Sequence, residues 1–101
     1  MKRLVNASVS TAIKFIEKPD FLDNFFNEYG FINYFEYDQE KDKLDFWNYN
    51  QMINDLYDYI QTQTRSKIQD VEEAMEVMGV QLKENLIDYL SDNEAKIKQQ
   101  I

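Results

Sequence analysis

Asp38-Gln39-Glu40-Lys41-Asp42 carries oxygen ligands in the alternation that opens a calcium-binding loop. The pattern then fails. The sixth position, where such a loop needs glycine for its turn, is Lys43, and the twelfth, where a bidentate glutamate closes the coordination shell, is Tyr49. Lys41 and Lys43 would also oppose a cation, so the stretch reads as a solvated hairpin tip and no metal is expected. Asp55 with Asp58, and Glu72 with Glu76, have the spacing to share a helical face. General acid–base work also needs the two pKa values pushed apart by different environments, which spacing does not supply. Ser66 and Lys67 are adjacent, and adjacent helix positions point apart, which disfavours a Ser–Lys dyad. The chain has no His and no Cys. That removes the commonest general base, the commonest transition-metal ligand, thiol chemistry and disulfides. The expectation is a protein that is not an enzyme and holds no cofactor.

What remains is chemistry of recognition. Residues 19 to 60 hold 13 of the 15 aromatic side chains and 10 of the 19 acidic ones, against two basic residues, Lys41 and Lys43. That window has a net charge of −8, while residues 1 to 18 come to +3 and residues 61 to 101 to −3. Rings supply contact area and charge steers encounter, so rings beside unpaired carboxylates suit a surface that meets another protein. The candidate partner-binding residues are Tyr34, Tyr37, Trp47 and Tyr49 as anchors, with Glu36, Asp38, Glu40, Asp42 and Asp45 as the steering charges. A second candidate is the acidic line Glu84, Asp88 and Asp92, at i, i+4 and i+8 on a continuous helix. Its charges would stand about 6 Å apart, comparable to successive phosphates, although an ordinary solvated helix face has the same pattern. Only Lys96, one turn on, offers that line relief.

A pI near 4.4 opposes direct binding to nucleic acid or to an anionic membrane. No apolar run approaches the roughly 20 residues that span a bilayer, and the basic start of residues 1–8 lacks the apolar stretch of a signal peptide, so a cytoplasmic location is expected. Asn6-Ala7-Ser8 matches a glycosylation sequon, which has no use there.

The elements that must position these residues can be read from periodicity. At 101 residues the chain is one domain with a modest core. Residues 3–9 alternate weakly and suit either a short strand or the lead-in to a helix. Ala12, Ile13, Phe15 and Ile16 predict a helical stretch ending before Pro19. Pro19 suits a first helical position and Gly30 a left-handed cap, with Phe21, Phe25 and Tyr29 forming an aromatic stripe between them. The period then changes to two. Segments 31–37 and 44–49 are rich in strand formers and flank a polar loop, which predicts an antiparallel hairpin. Its register pairs Phe35 with Phe46, Tyr37 with Leu44, Tyr34 with Trp47 and Asn33 with Asn48. That register makes like-charged neighbours of Glu36 and Asp45.

Asn50 then predicts a cap for a helix burying Met52, Ile53, Leu56, Tyr57 and Ile60, with Asp55, Asp58 and Tyr59 outward and a polar break at 61–65. Ser66 and Gln69 have capping-box spacing. Ile68, Val71, Met75 and Met78 come next, as a core seam rather than an adaptable docking surface. Gly79 suggests either a helix end or a kink in a continuous helix. Leu82, Leu86 and Leu90 mark the helical segment beyond it, and 96–101 is expected to fray. The predicted fold is α+β, a small antiparallel sheet built on the hairpin and packed against three to five helices.

In overall character (short, Cys-free and His-free, strongly acidic, rich in Tyr, Asp, Asn and Lys) the chain resembles the small acidic inhibitor proteins of phages and mobile elements, including anti-CRISPR and DNA-mimic proteins. No family motif aligns, so the resemblance assigns no residue roles. It implies a non-catalytic inhibitor that occludes a basic, nucleic-acid-binding surface of a host protein such as a bacterial defence nuclease, acting in the host cytoplasm. The alternative is a structural or assembly module that forms a homodimer through its aromatic sheet face.

Overall fold

The computed structural model describes residues 6–101. Among these, helices and strands are arranged in the order α1 (Ala7–Ile16), α2 (Phe21–Tyr29), β1 (Phe35–Asp38), β2 (Lys43–Phe46), α3 (Tyr49–Thr64), α4 (Ile68–Asp92) and α5 (Glu94–Gln100). The class is α+β, five described helices around one hairpin.

Asn6 starts α1 by capping it: its side-chain oxygen accepts from the Val9 N–H at 2.8 Å. Residues 7–9 are therefore helical rather than extended, while residues 3–5 of that segment lie outside the described residues. Val9, Ala12 and Ile16 fall on one buried face, packed against α4 and α3. Pro19 sits in the turn before α2, not at its first position, because the Phe21 N–H donates back to the Lys18 carbonyl at 3.0 Å. Gly30 ends α2 at φ 85° and ψ 154°. The positive φ favours glycine, but the extended ψ sends the chain away as a loop instead of a left-handed cap.

The aromatic surplus goes mostly inward, which corrects the reading of it as surface. Phe25 stacks on Tyr29 at 4.9 Å and on Tyr34 at 6.0 Å, and meets Tyr59 at 5.6 Å. Phe26 stacks on Phe31 at 4.9 Å and on Tyr89 at 5.3 Å. The cause lies in α2, whose rings at 21, 25, 26 and 29 cover more than one face and so need ring-sized partners from every neighbouring element. Each such pair adds about 0.5–1.5 kcal/mol beyond area burial.

The hairpin has the predicted register: Phe35↔Phe46, Glu36↔Asp45, Tyr37↔Leu44 and Asp38↔Lys43. Its strands are shorter than expected. Residues 31–34 form a turn in which the Phe31 carbonyl accepts from the N–H groups of Tyr34 and Phe35, because Phe31 is drawn into the α2 ring cluster. At the other end Tyr49 already belongs to α3. The predicted neighbours still meet, since the N–H groups of Trp47 and Asn48 both donate to the Tyr34 carbonyl, at 3.1 and 3.3 Å.

α3 begins earlier than an Asn50 cap would give, with Asn48 ahead of it, and runs through the expected polar break to Arg65 at φ 57°. Tyr59, expected outward, is buried against Phe15, Phe21 and Phe25. No capping box forms at Ser66: Lys67 takes the cap position, and the Ser66 hydroxyl is buried, accepting from Thr64 Oγ1 at 2.8 Å. α4 then continues for 25 residues straight through Gly79. Met75 and Met78 belong to the core, as expected. The tail from 96 does not fray. It forms α5, because Ile97 is fully buried and Lys96 and Lys98 reach Asp23 and Asp42 at 3.3 and 3.1 Å.

Candidate protein-docking face

Alternation along the hairpin sorts its side chains. Phe35 and Phe46 point inward, stacked at 4.7 Å, while Glu36, Asp38, Lys43, Asp45 and Trp47 point out. The loop between the strands is closed by Asp38, whose Oδ1 accepts from the N–H groups of Glu40 and Lys41 at 3.0 and 3.3 Å. Asp42 completes the turn in the left-handed region, φ 48°, which Asp tolerates better than most residues. Its carboxylate accepts from the Tyr37 hydroxyl and from Lys98 at 3.1 Å, and Lys98 also pairs with Glu94 and lies over the Tyr37 ring at 5.2 Å. These contacts clamp the hairpin tip to α5. The Tyr37 and Lys98 bonds hold the Asp42 carboxyl below its ordinary value, and the same bonds raise Tyr37 and Lys98. Asp38 and Asp42 are thus occupied as turn and clamp groups. Among the described residues, no group of three or more acidic side chains converges as a metal site.

The same motif, a tyrosine hydroxyl donating to an aspartate, recurs through the fold. Tyr34 donates to Asp55 at 2.6 Å, Tyr29 to Asp58 at 2.9 Å and Tyr89 to Asp23 at 3.1 Å. Burial is the main cause that pushes all three phenols well above their ordinary value, and the aspartates add to it. Several of the acids that make the middle of the chain so negative are therefore acceptors for buried or half-buried tyrosines. Pairing of this kind leaves no trace in spacing, because the partners lie 21 to 66 residues apart.

The predicted site residues divide accordingly. Tyr34 is wholly buried and is not a surface anchor: its ring fills the core beside Phe25 and its hydroxyl is tied to α3. Tyr37 is half-buried under Lys98. Glu36, Asp38, Glu40, Asp42 and Asp45 are all exposed. Glu36 and Asp45 stand directly across the strands, neither in an ion pair with another described residue, and they share a shallow hollow with Tyr37, Asp38, Lys41 and Lys43. The two lysines offset part of the charge there. Trp47 is 53 % exposed and Tyr49 51 %, the latter edge-on to Phe46.

Ile32, which lies in a segment predicted to be a strand, is 67 % exposed and lines a hollow with Trp47, Asn33, Asn48, Gln51 and Asp55. Its neighbours in sequence gave no signal, because its exposure depends on the turn at 31–34. Glu84, Asp88 and Asp92 are exposed on continuous α4, as a line of acids requires, but the structure does not bring them into a common hollow with the hairpin acids. Lys96, their expected relief, is bonded to Asp23 instead. Because Phe35 is buried and Phe46 half-buried, the aromatic sheet face is already covered by the chain's own core.

The fold defines a small α+β protein with an acidic hairpin edge, and no helix among the described residues is long and apolar enough to cross a membrane. No protein-family model, curated protein or solved structure matches the chain.

Proposed function

We propose that the chain is a non-catalytic inhibitor that docks through the outer edge of its hairpin onto a basic, nucleic-acid-binding surface of a host protein, a bacterial defence nuclease being the kind of target meant. The observation that carries this reading is the exposure of Trp47 on the outward side of the hairpin, where the cross-strand carboxylates of Glu36 and Asp45 have no ion-pair partner among the described residues. Like charges directly opposite each other destabilise a hairpin, and a large exposed ring gains nothing in water. Both features become favourable against a surface that supplies cations and an apolar pocket. Tryptophan and tyrosine in such pockets are the usual energetic anchors of an interface, and the carboxylates around them set the encounter rate. Ile32 extends the apolar part of the edge.

The test is capture from a bacterial lysate on immobilised protein, run beside a variant carrying Glu36→Lys, Glu40→Lys and Asp45→Lys. The reading predicts a protein retained by the unmodified chain at low salt, lost from the variant, and displaced by duplex or single-stranded DNA. Retention equal on both, or retention that DNA does not disturb, would contradict it.

A further inference from the structure

α4 carries a second unpartnered surface, away from the hairpin acids and independent of the function proposed above. Between α3 and α4 runs a groove of about 420 Å³ whose lining includes Tyr49, Ile53, Met75 and Leu82 together with Glu76 and Lys83. Gly79 lies on its α4 side. On the adjoining flank of α4, Val80 is 77 % exposed and Ile87 56 % exposed. A glycine inside an exposed helix costs about 1 kcal/mol relative to alanine. Nothing among the described residues requires it: a Cβ at Gly79 would meet no atom of theirs within 4 Å, and its φ is ordinary. A glycine there does suit close approach by a second helix.

The charges say which helix. On its own helix, Lys83 has Gly79, Val80, Leu86 and Ile87 at the spacings where side chains meet, and so no acid to pair with. Glu76 has Glu72, Glu73, Gly79 and Val80, and so no cation. Neither residue is in an ion pair with another described residue. We infer that α4 is the homodimer interface of this protein, packed antiparallel against α4 of a second copy about a two-fold axis between Gly79 and Val80.

That axis sets Val80 of each copy over Gly79 of the other and Lys83 of each copy opposite Glu76 of the other. An isologous interface requires this kind of reciprocity. The two α3–α4 pairs then form a four-helix arrangement whose centre is the groove. A stable interface buries about 800 Å² per partner. A 25-residue helix about 37 Å long and about 10 Å wide offers roughly half of that, and the α3 side chains of the groove that still reach solvent, Tyr49, Ile53 and Tyr57, add to it.

Sedimentation equilibrium of the full chain tests this. The unmodified protein should be a dimer that persists at high salt, because its contact is mainly apolar. Glu76→Lys and Lys83→Glu should each weaken association about tenfold, as two facing pairs turn repulsive, and the double exchange should restore it. Val80→Glu, on a side chain already in solvent, should give a monomer of unchanged helix content. A monomer at the highest attainable concentration would overturn the inference. So would a dimer that the charge exchange fails to rescue, or one that Val80→Glu leaves intact.

Discussion

Removing one hydroxyl, by Tyr34→Phe, probes how the docking edge is held. The Tyr34 ring is fully buried and stays so in the variant, leaving no cavity. What disappears is the 2.6 Å bond to Asp55, the link between the start of the hairpin and α3. A hydrogen bond to a charged group contributes about 1.5–3 kcal/mol. Asp55 is only half-buried and keeps its bond from Gln51 at 2.9 Å, so water can replace part of the loss and the lower end applies, about 1.5 kcal/mol. For a domain of this size that lowers Tm by about 6–12 °C. Circular dichroism melts at pH 7 read this directly, and a cycle with Asp55→Asn should give a coupling energy of about 1 kcal/mol or more. A Tyr34→Phe melt within about 2 °C of the unmodified chain would refute the claim that this bond, rather than ring packing alone, ties the edge to the helices.

The same geometry sets three further outcomes. Burial and aspartate partners raise Tyr29, Tyr34 and Tyr89 above the ordinary phenol value of 10.0. Their contribution to stability is complete below pH about 10 and is lost as pH rises further, because only unfolding lets them ionise at their ordinary value; tyrosinate absorbance should therefore rise together with loss of helix. Ile97→Ala, in a fully buried side chain of α5, should cost about 2–5 kcal/mol, whereas a fraying tail would show no change in Tm. Glu36→Lys should raise Tm by a few degrees, since it turns the Glu36–Asp45 clash into an attractive cross-strand pair worth about 0.2–1 kcal/mol, while slowing capture of the proposed partner.

Much of this fold was legible where local patterns decide. The hairpin register came from alternation in two short segments, since a slip by one residue would have turned Phe35 and Phe46 out to water. The stripe on α2 and the methionine seam on α4 were visible in their spacing. Element ends were not, because tertiary packing overrode them. Ile97, one apolar residue in a polar tail, was enough to dock α5, and Gly79 could not end a helix whose leucines continue the same buried face. Within the candidate site, exposed Trp47 and the five hairpin acids were readable from charge and composition, whereas Tyr49 turns with α3 into the groove beside α4. Tyr34 and Ile32 were not, because which is buried depends on a turn set by the ring cluster around Phe26 and Phe31.

The central claim is that the hairpin edge is a charged docking face with ring anchors. The most direct measurement is the rate of association with the captured partner, by stopped-flow fluorescence of Trp47, the chain's single tryptophan, at about 0.05 M and about 0.5 M salt. The account predicts an association rate that falls steeply with salt for the unmodified chain and is slow and nearly salt-independent after Glu36→Lys, Glu40→Lys and Asp45→Lys. It also predicts that Trp47→Ala, followed by surface plasmon resonance, leaves association unchanged and speeds dissociation at least about thirtyfold, the equivalent of an anchor worth about 2 kcal/mol. An association rate that the charge reversals leave unchanged at low salt would contradict it.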